Sequence, residues 1–242
     1  MKKIIVLPAY NAARTLEGTV KSLPAGAFDE IILVDDCSSD GTCELALRLG
    51  IKAVKHPRNR GYGGNQKTCY TLALERGADI VVMLHPDYQY DPRVIPFMTG
   101  IIEDGVCDVV LGNRIRTRAE ALSGGMPVYK YLANRFLTVL ENLAAGQNLG
   151  EWHSGLRAYS RRALEAVNWR DNSEGFAFDS QYLFQAAFKG LRIGDIPVPA
   201  KYFPEASSIA FWSGVRYGLE TLLAAAEFLL NRSGLLRTAR YH

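Results

Sequence analysis

Short apolar runs separated by polar, glycine-containing stretches set the rhythm of the chain. Ile4–Leu7, Ile31–Val34, Ile51–Val54, Ile80–Leu84 and Val109–Gly112 read as strands, Ile80–Leu84 as one buried on both faces. Helical stretches lie between them, carrying Leu16, Val20 and Leu23, then Leu45, Leu47 and Leu49, then Thr71, Leu72 and Leu74. Ser39 or Asp40 caps the second of these, and Gly50 and Gly77 close the second and third. A further helix runs from Pro92 to about Glu103. Strands alternating with helices predict a mostly parallel sheet with helices on both faces, an α/β fold.

The second half carries longer helical patterns. Val128, Leu132, Phe136, Val139, Leu140 and Leu143 follow helical spacing, either as ordinary core or as a membrane- or acceptor-facing stripe. Thr117–Pro127, rich in Gly, Ser and Ala, reads as a mobile loop. Helices over Arg161–Val167 and Asp179–Lys189 flank the loop Asn172–Gly175, and Leu191–Val198 is a last strand before a proline-rich turn. Ile209–Leu230 forms one amphipathic helix or two, and Arg232, Arg237 and Arg240 make a basic tail. The expected organisation is an α/β domain over residues 1–205 and a helical extension over 206–242, packed on or beside it.

Polar side chains gather where the strands stop. Ile80–Leu84 ends at His85-Pro86, since proline cannot donate to a ladder, and Asp87, Gln89 and Asp91 follow. Ligands bind at that carboxyl edge in open parallel sheets. Asp87 and Gln89 offer hard oxygen ligands two residues apart, which suits Mg²⁺ or Mn²⁺ holding a diphosphate; the alternative is a solvated loop that opens the next helix. A basic glycine-rich stretch, Arg58–Asn65, reads as a phosphate loop or a plain helix-entry turn; Gly64-Asn-Gln-Lys67 stands where a Walker loop would end.

Composition narrows the partners. A net charge of +3 over 242 residues gives no ground for nucleic acid. Four cysteines without zinc spacing or a secreted framework suggest a reducing cytoplasm. Met1-Lys-Lys3 leads straight into a strand, so no signal peptide is expected, and Arg216, Glu220 and Glu227 interrupt the longest apolar stretch, so no membrane span is expected either.

Four clusters in this order resemble family 2 inverting glycosyltransferases of the GT-A, Rossmann-like fold: Leu7-Pro-Ala-Tyr-Asn11, Val34–Thr42, Asn59–Asn65 and the Asp87 loop. Gly112-Asn-Arg114, Gly125–Lys130 and Ser154–Arg161 make the chain similar to the dolichyl- and polyprenyl-phosphate sugar synthases within it, over about residues 3–205. The resemblance implies that Pro8, Ala9, Tyr10 and Asn11 line a nucleotide pocket, that Asp36 pairs with a uracil or guanine base, and that Gly64, Lys67, His85 and Pro86 border the donor. Asp35 would steady the turn. It implies that Asp87, with Gln89, binds the metal, although His85 replaces the first acid of the usual Asp-x-Asp motif. It further implies that Arg114, Lys130 and Arg157 contact the acceptor phosphate or the leaving diphosphate. Glu151 and Asp179 stand where relatives carry carboxylates, Gln181 stands where a Glu often follows, and His153 is an additional metal or acceptor contact.

The function so implied is transfer of a sugar from a UDP- or GDP-sugar to a polyprenyl phosphate, by a cytoplasmic enzyme at the inner face of the membrane. Peripheral contact would run through Tyr129, Phe136, Trp212 and the tail arginines. Two alternatives stand beside it: a sugar hydroxyl as acceptor, with Glu151 or Asp179 as base, and a catalytically degenerate sugar-nucleotide binder. A nucleotidyltransferase would want a glycine-rich, lysine-containing signature near the amino terminus, where Pro8-Ala-Tyr-Asn11 stands. The identity of the sugar and the oligomeric state leave no mark in the sequence.

Overall fold

The computed structural model describes residues 1–200 and 211–242. Its elements are β1 (Lys3–Ala9), α1 (Ala13–Lys21), β2 (Glu30–Asp35), α2 (Thr42–Arg48), β3 (Lys52–Lys55), α3 (Gly61–Glu75), β4 (Ile80–Leu84) and α4 (Ile95–Glu103). There follow β5 (Val109–Asn113), α5 (Arg118–Ser123), α6 (Val128–Ala145), β6 (Leu156–Ser160), α7 (Arg161–Ala166), α8 (Phe178–Phe188), β7 (Ile193–Pro197) and α9 (Phe211–Arg232). The strands form one sheet in the order β3-β2-β1-β4-β6-β5-β7, with β6 antiparallel to both neighbours.

Alternation along the strands explains why both faces are covered. Ile4, Val6, Val81 and Met83 point into one apolar cluster, with Tyr70 of α3, Tyr182 of α8 and Phe228 of α9. Ile5, Leu7, Val82 and Leu84 point into the other, with Leu16 of α1, Ala46 of α2 and Met98 of α4. Successive side chains leave a strand on opposite faces, so continuous apolar runs fill two cores at once.

Three expectations need correction. The stretch Leu156–Ser160, within the Ser154–Arg161 motif and not expected as a strand, is a central strand, with Arg157 opposite Met83. A buried arginine hides the apolar pattern that would mark it. The expected glycine-rich loop is largely helix, because α3 begins at Gly61. Its first amides find an acceptor in the Glu174 carbonyl, 2.7 Å from Gly63 N and 3.3 Å from Gly64 N. A Cβ at Gly63 would lie 2.2 Å from the Ser173 carbonyl oxygen, so the glycines let the 173–175 backbone lie against the helix. The expected mobile loop at 117–127 contains α5, capped by Thr117 Oγ1 accepting from Glu120 N at 3.1 Å. The edge between the expected domains, at 205/206, lies outside the described residues, as does part of the proline-rich turn.

Helices α6 and α9 pack against each other and leave apolar side chains on their outer faces. The buried side of α6 carries Asn134, Thr138 and Glu141, while Leu132, Phe136 (61% exposed), Val139 and Leu143 (76% exposed) face outward. On α9, Thr221, Ala224 and Phe228 are buried, and Trp212 (78% exposed), Val215, Leu219 and Leu223 are not. The stripe on α6 is therefore an outer face and not core. Among the described residues, no helix is long and apolar enough to cross a membrane.

Candidate active site

The polar clusters converge on one edge of the sheet. Three non-glycine residues there adopt left-handed backbone: Asn11 (φ 50°) after β1, Cys37 (φ 66°) after β2 and Tyr88 (φ 60°) after β4. Such conformations cost of order 1–3 kcal/mol and gather where turns serve a site. The first two turns are tied together. Asn11 N donates to Ser38 Oγ at 2.8 Å, and Ser39 N donates to Asn11 Oδ1 at 3.0 Å. Buried Asp35 accepts from Ser38 N at 3.0 Å and so holds its own turn. Pro8 and Ala9 end β1; the Ala9 carbonyl accepts from Asp36 N at 2.8 Å, and exposed Tyr10 stands at the mouth.

Asp36 is nearly enclosed. Its Oδ1 accepts from His56 Nδ1 and from Arg60 N, both at 2.8 Å, and its Oδ2 accepts from Gly61 N at 3.0 Å. His56 gave no signal in the sequence; it is reached only through the turn after β3. Gly64 and Lys67 belong to α3, and Lys67 Nζ donates to the Asn172 carbonyl and to Glu174 Oε1, each at 2.6 Å. Both residues thus bind the 172–175 loop. The Pro86 carbonyl accepts from the Thr15 hydroxyl at 2.5 Å, fixing the turn after β4 to α1.

Behind this edge lies a charged network inside the protein. Arg157, fully buried on β6, donates through Nε to the Ser154 carbonyl at 2.7 Å and pairs with Asp179 at 3.1 Å. Burial opposes its charge, but Asp179, with Tyr159 and Tyr62 beside it, holds the guanidinium well above the ordinary arginine range. Asp179 also accepts from the Tyr62 hydroxyl at 2.7 Å and from Gln66 Nε2 at 3.2 Å. His85 stacks on Tyr62 with ring centroids 5.3 Å apart. Burial, opposed by Asp87, lowers its pKa and keeps it neutral. A Cβ on Gly155 would sit 2.6 Å from the His85 ring, so the imidazole is packed as a plug at the end of β4.

A second pair borders the edge. Arg114 donates through Nε to Glu151 Oε1 at 2.7 Å and through its backbone amide to Oε2 at 3.1 Å. Asn134 Nδ2 adds a third donor to the fully buried Glu151 at 3.0 Å. Arg114 also reaches Gln89 Oε1 at 3.4 Å and the His153 carbonyl at 3.0 Å. The His153 ring points away, with Nε2 3.0 Å from Glu141 and Nδ1 2.5 Å from the Tyr217 hydroxyl, linking α6 to α9. Gln181 Oε1 accepts from Ser173 N at 2.7 Å. Half-buried Lys130 opens α6. Burial, then the nearby Arg114 charge, hold its ammonium below the ordinary lysine range.

Asp87, 8% exposed, accepts from Gln89 N at 3.0 Å. Among the described residues, no group of three His, Cys, Asp or Glu side chains comes together to hold a metal. A single carboxylate with a neighbouring amide oxygen still fits Mg²⁺ or Mn²⁺ when substrate phosphates and water complete the shell.

A Rossmann-like sheet with polar groups gathered at the carboxyl ends of its strands is the architecture of a nucleotide-binding α/β protein. The chain belongs to glycosyl transferase family 2, whose match spans residues 4–167. It is 30% identical to the UDP-N-acetylglucosamine–dolichyl-phosphate N-acetylglucosaminyltransferase of Methanococcus voltae, over 82% of this chain and 85% of that one. It is 26% identical to the undecaprenyl-phosphate mannosyltransferase of Micrococcus luteus, over 82% of this chain and 83% of the relative. The fold matches glucosyl-3-phosphoglycerate synthase from Mycobacterium tuberculosis, solved with UDP, at a TM-score of 0.69 and 23% identity, covering 98% of this chain and 82% of that one.

Proposed function

We propose that the protein moves a sugar from a nucleoside-diphosphate sugar to a polyprenyl phosphate, with inversion at the anomeric carbon. The relatives from Methanococcus voltae and Micrococcus luteus, named for dolichyl- and undecaprenyl-phosphate acceptors, support that acceptor class. One observation carries the choice over a hydroxyl acceptor. Both carboxylates that could serve as a base, Glu151 and Asp179, are buried and ion-paired to arginine. A hydroxyl must lose a proton as it attacks and so needs a base. A phosphate monoester, with a second pKa of about 6, is already anionic at neutral pH and needs cations instead.

Half-buried Lys130 supplies one at the rim, beside Arg114, whose own charge is shared with Glu151. The acceptor oxygen attacks the anomeric carbon as the bond to the diphosphate breaks on the opposite face, and the electron pair leaves with the nucleoside diphosphate. Mg²⁺ or Mn²⁺ on Asp87, with Gln89 beside it, would neutralise that leaving charge. Buried Arg157 supports the site through Asp179 and does not reach solvent. The exposed apolar side chains of α6 and α9 support a lipid-facing surface that brings the enzyme to a membrane-borne acceptor.

Lys130→Ala tests the acceptor site. Losing one charged hydrogen bond to phosphate should lower kcat/KM for a polyprenyl phosphate by roughly 10- to 100-fold. Stability should move by no more than about 0.5 kcal/mol, because Lys130 forms no ion pair among the described residues. A nearly silent Lys130→Ala would argue for a hydroxyl acceptor.

A further inference from the structure

We propose that Tyr217 of α9 is a positioning residue for Arg114, acting through His153. The inference rests on the reading above that Arg114 borders the acceptor. Arg114 is oriented from two sides. Glu151 takes its Nε at 2.7 Å and its backbone amide at 3.1 Å, and the His153 carbonyl takes Nη2 at 3.0 Å. The direction of that carbonyl follows residue 153, and two helices hold the residue by its ring. Nδ1 lies 2.5 Å from the Tyr217 hydroxyl of α9, and Nε2 lies 3.0 Å from Glu141 of α6. The flanking Trp152 and Ser154 carbonyls take Arg157 at 3.0 and 2.7 Å, so one short loop steadies both arginines.

The protons fall in a consistent order. Buried Glu141 already accepts from the Ser180 hydroxyl at 2.8 Å, and a carboxylate only accepts, so the His153 proton sits at Nε2. Nδ1 is then the acceptor and Tyr217 the donor. The Tyr217 hydroxyl points inward, and burial there pushes it above the ordinary tyrosine range, so it keeps the proton it donates. The Tyr217 ring has a separate contact, edge-on to Phe176 at 6.3 Å. Tyr217→Phe keeps that contact and removes only the bond to His153. Thr221, one turn along α9, is fully buried, and its hydroxyl has no hydrogen-bond partner among the described residues. It supplies a control for loss of a hydroxyl from the same helix.

Nuclear magnetic resonance of the Arg114 Nε–H group, assigned by its loss in Arg114→Lys, tests this on the whole chain. The signal should shift in Tyr217→Phe and in His153→Ala and stay in place in Thr221→Val. His153→Asn should restore it, because the amide oxygen can accept from Tyr217 where Nδ1 did. The KM for a short-chain polyprenyl monophosphate should rise about 2- to 10-fold in Tyr217→Phe, while UDP affinity with Mn²⁺ present stays at the wild-type value. Tyr217→Phe combined with His153→Ala should do no more than His153→Ala alone, since both cut one link. An Arg114 signal unmoved in Tyr217→Phe, or moved equally in Thr221→Val, overturns the proposal. A shifted signal with an unchanged KM upholds the link to Arg114 and removes Arg114 from the acceptor site. Should Tyr217→Phe fail to fold, the His153 variants decide: equal shifts in His153→Ala and His153→Asn overturn the proposal, and recovery in His153→Asn upholds it.

Discussion

Asp179 separates a structural carboxylate from a catalytic base. It neutralises Arg157, which has no exposed surface, and removing one partner of a buried ion pair costs about 3–5 kcal/mol. Asp179→Asn should therefore lower urea-unfolding stability by roughly that amount, with turnover falling only as the folded fraction falls. Unchanged stability with abolished turnover would make Asp179 the base. Asp87 presents the opposite case. It sits in the turn after β4, accepting from Gln89 N and away from the buried ion pairs, so Asp87→Ala should keep the fold yet lose about 100-fold or more in kcat, the loss expected when a charge-stabilising group goes. Full wild-type activity in excess EDTA would refute the metal that this role assumes. At this scale the sequence showed which residue types gather at the strand ends, but not their partners. Nothing near Glu151 or Asp179 in sequence announces Arg114 or Arg157, because each pair forms across the fold.

Element by element, the apolar strands were legible and the exceptions have physical causes. β4 falls where its five apolar residues predict, Ile80–Leu84. β6 escaped because a buried arginine interrupts its pattern, and the start of α3 escaped because glycines there serve close packing. The α6 stripe was legible as a periodicity, while its direction was not: spacing cannot say which side of a helix faces the core. The outward answer makes a prediction about lipid. The chain should co-sediment with anionic vesicles at low salt, and Phe136→Asp with Trp212→Asp should weaken that several-fold. Of the tail arginines, Arg240 is held by Glu227 and by the Asp171 carbonyl and Arg232 lies over the Phe228 ring, while exposed Arg237 can meet lipid headgroups. Equal sedimentation of wild type and double variant would remove this face from membrane contact.

At the scale of the whole molecule, one sheet brings three kinds of group to one edge. The ends of β1 and β2 offer the turns around Asn11 and Asp36, the end of β4 offers Asp87, and the end of β5 offers Arg114 opposite Lys130. The fold class was readable from the strand–helix rhythm. The antiparallel insertion of β6, which lets Gly155 meet His85 at the end of β4, left no mark in the sequence. The proposed acceptor rests on the assembled arrangement, because buried ion pairs hold both carboxylates while Lys130 stands at the rim beside the Glu151-paired Arg114. The most direct measurement offers a panel of UDP-sugars with Mn²⁺ and follows transfer to a short-chain polyprenyl monophosphate or to the matching free polyprenol. Sugar should appear on the phosphate and not on the alcohol. Transfer to the alcohol at an equal rate, or to a sugar hydroxyl while the phosphate stays untouched, would contradict the phosphate acceptor.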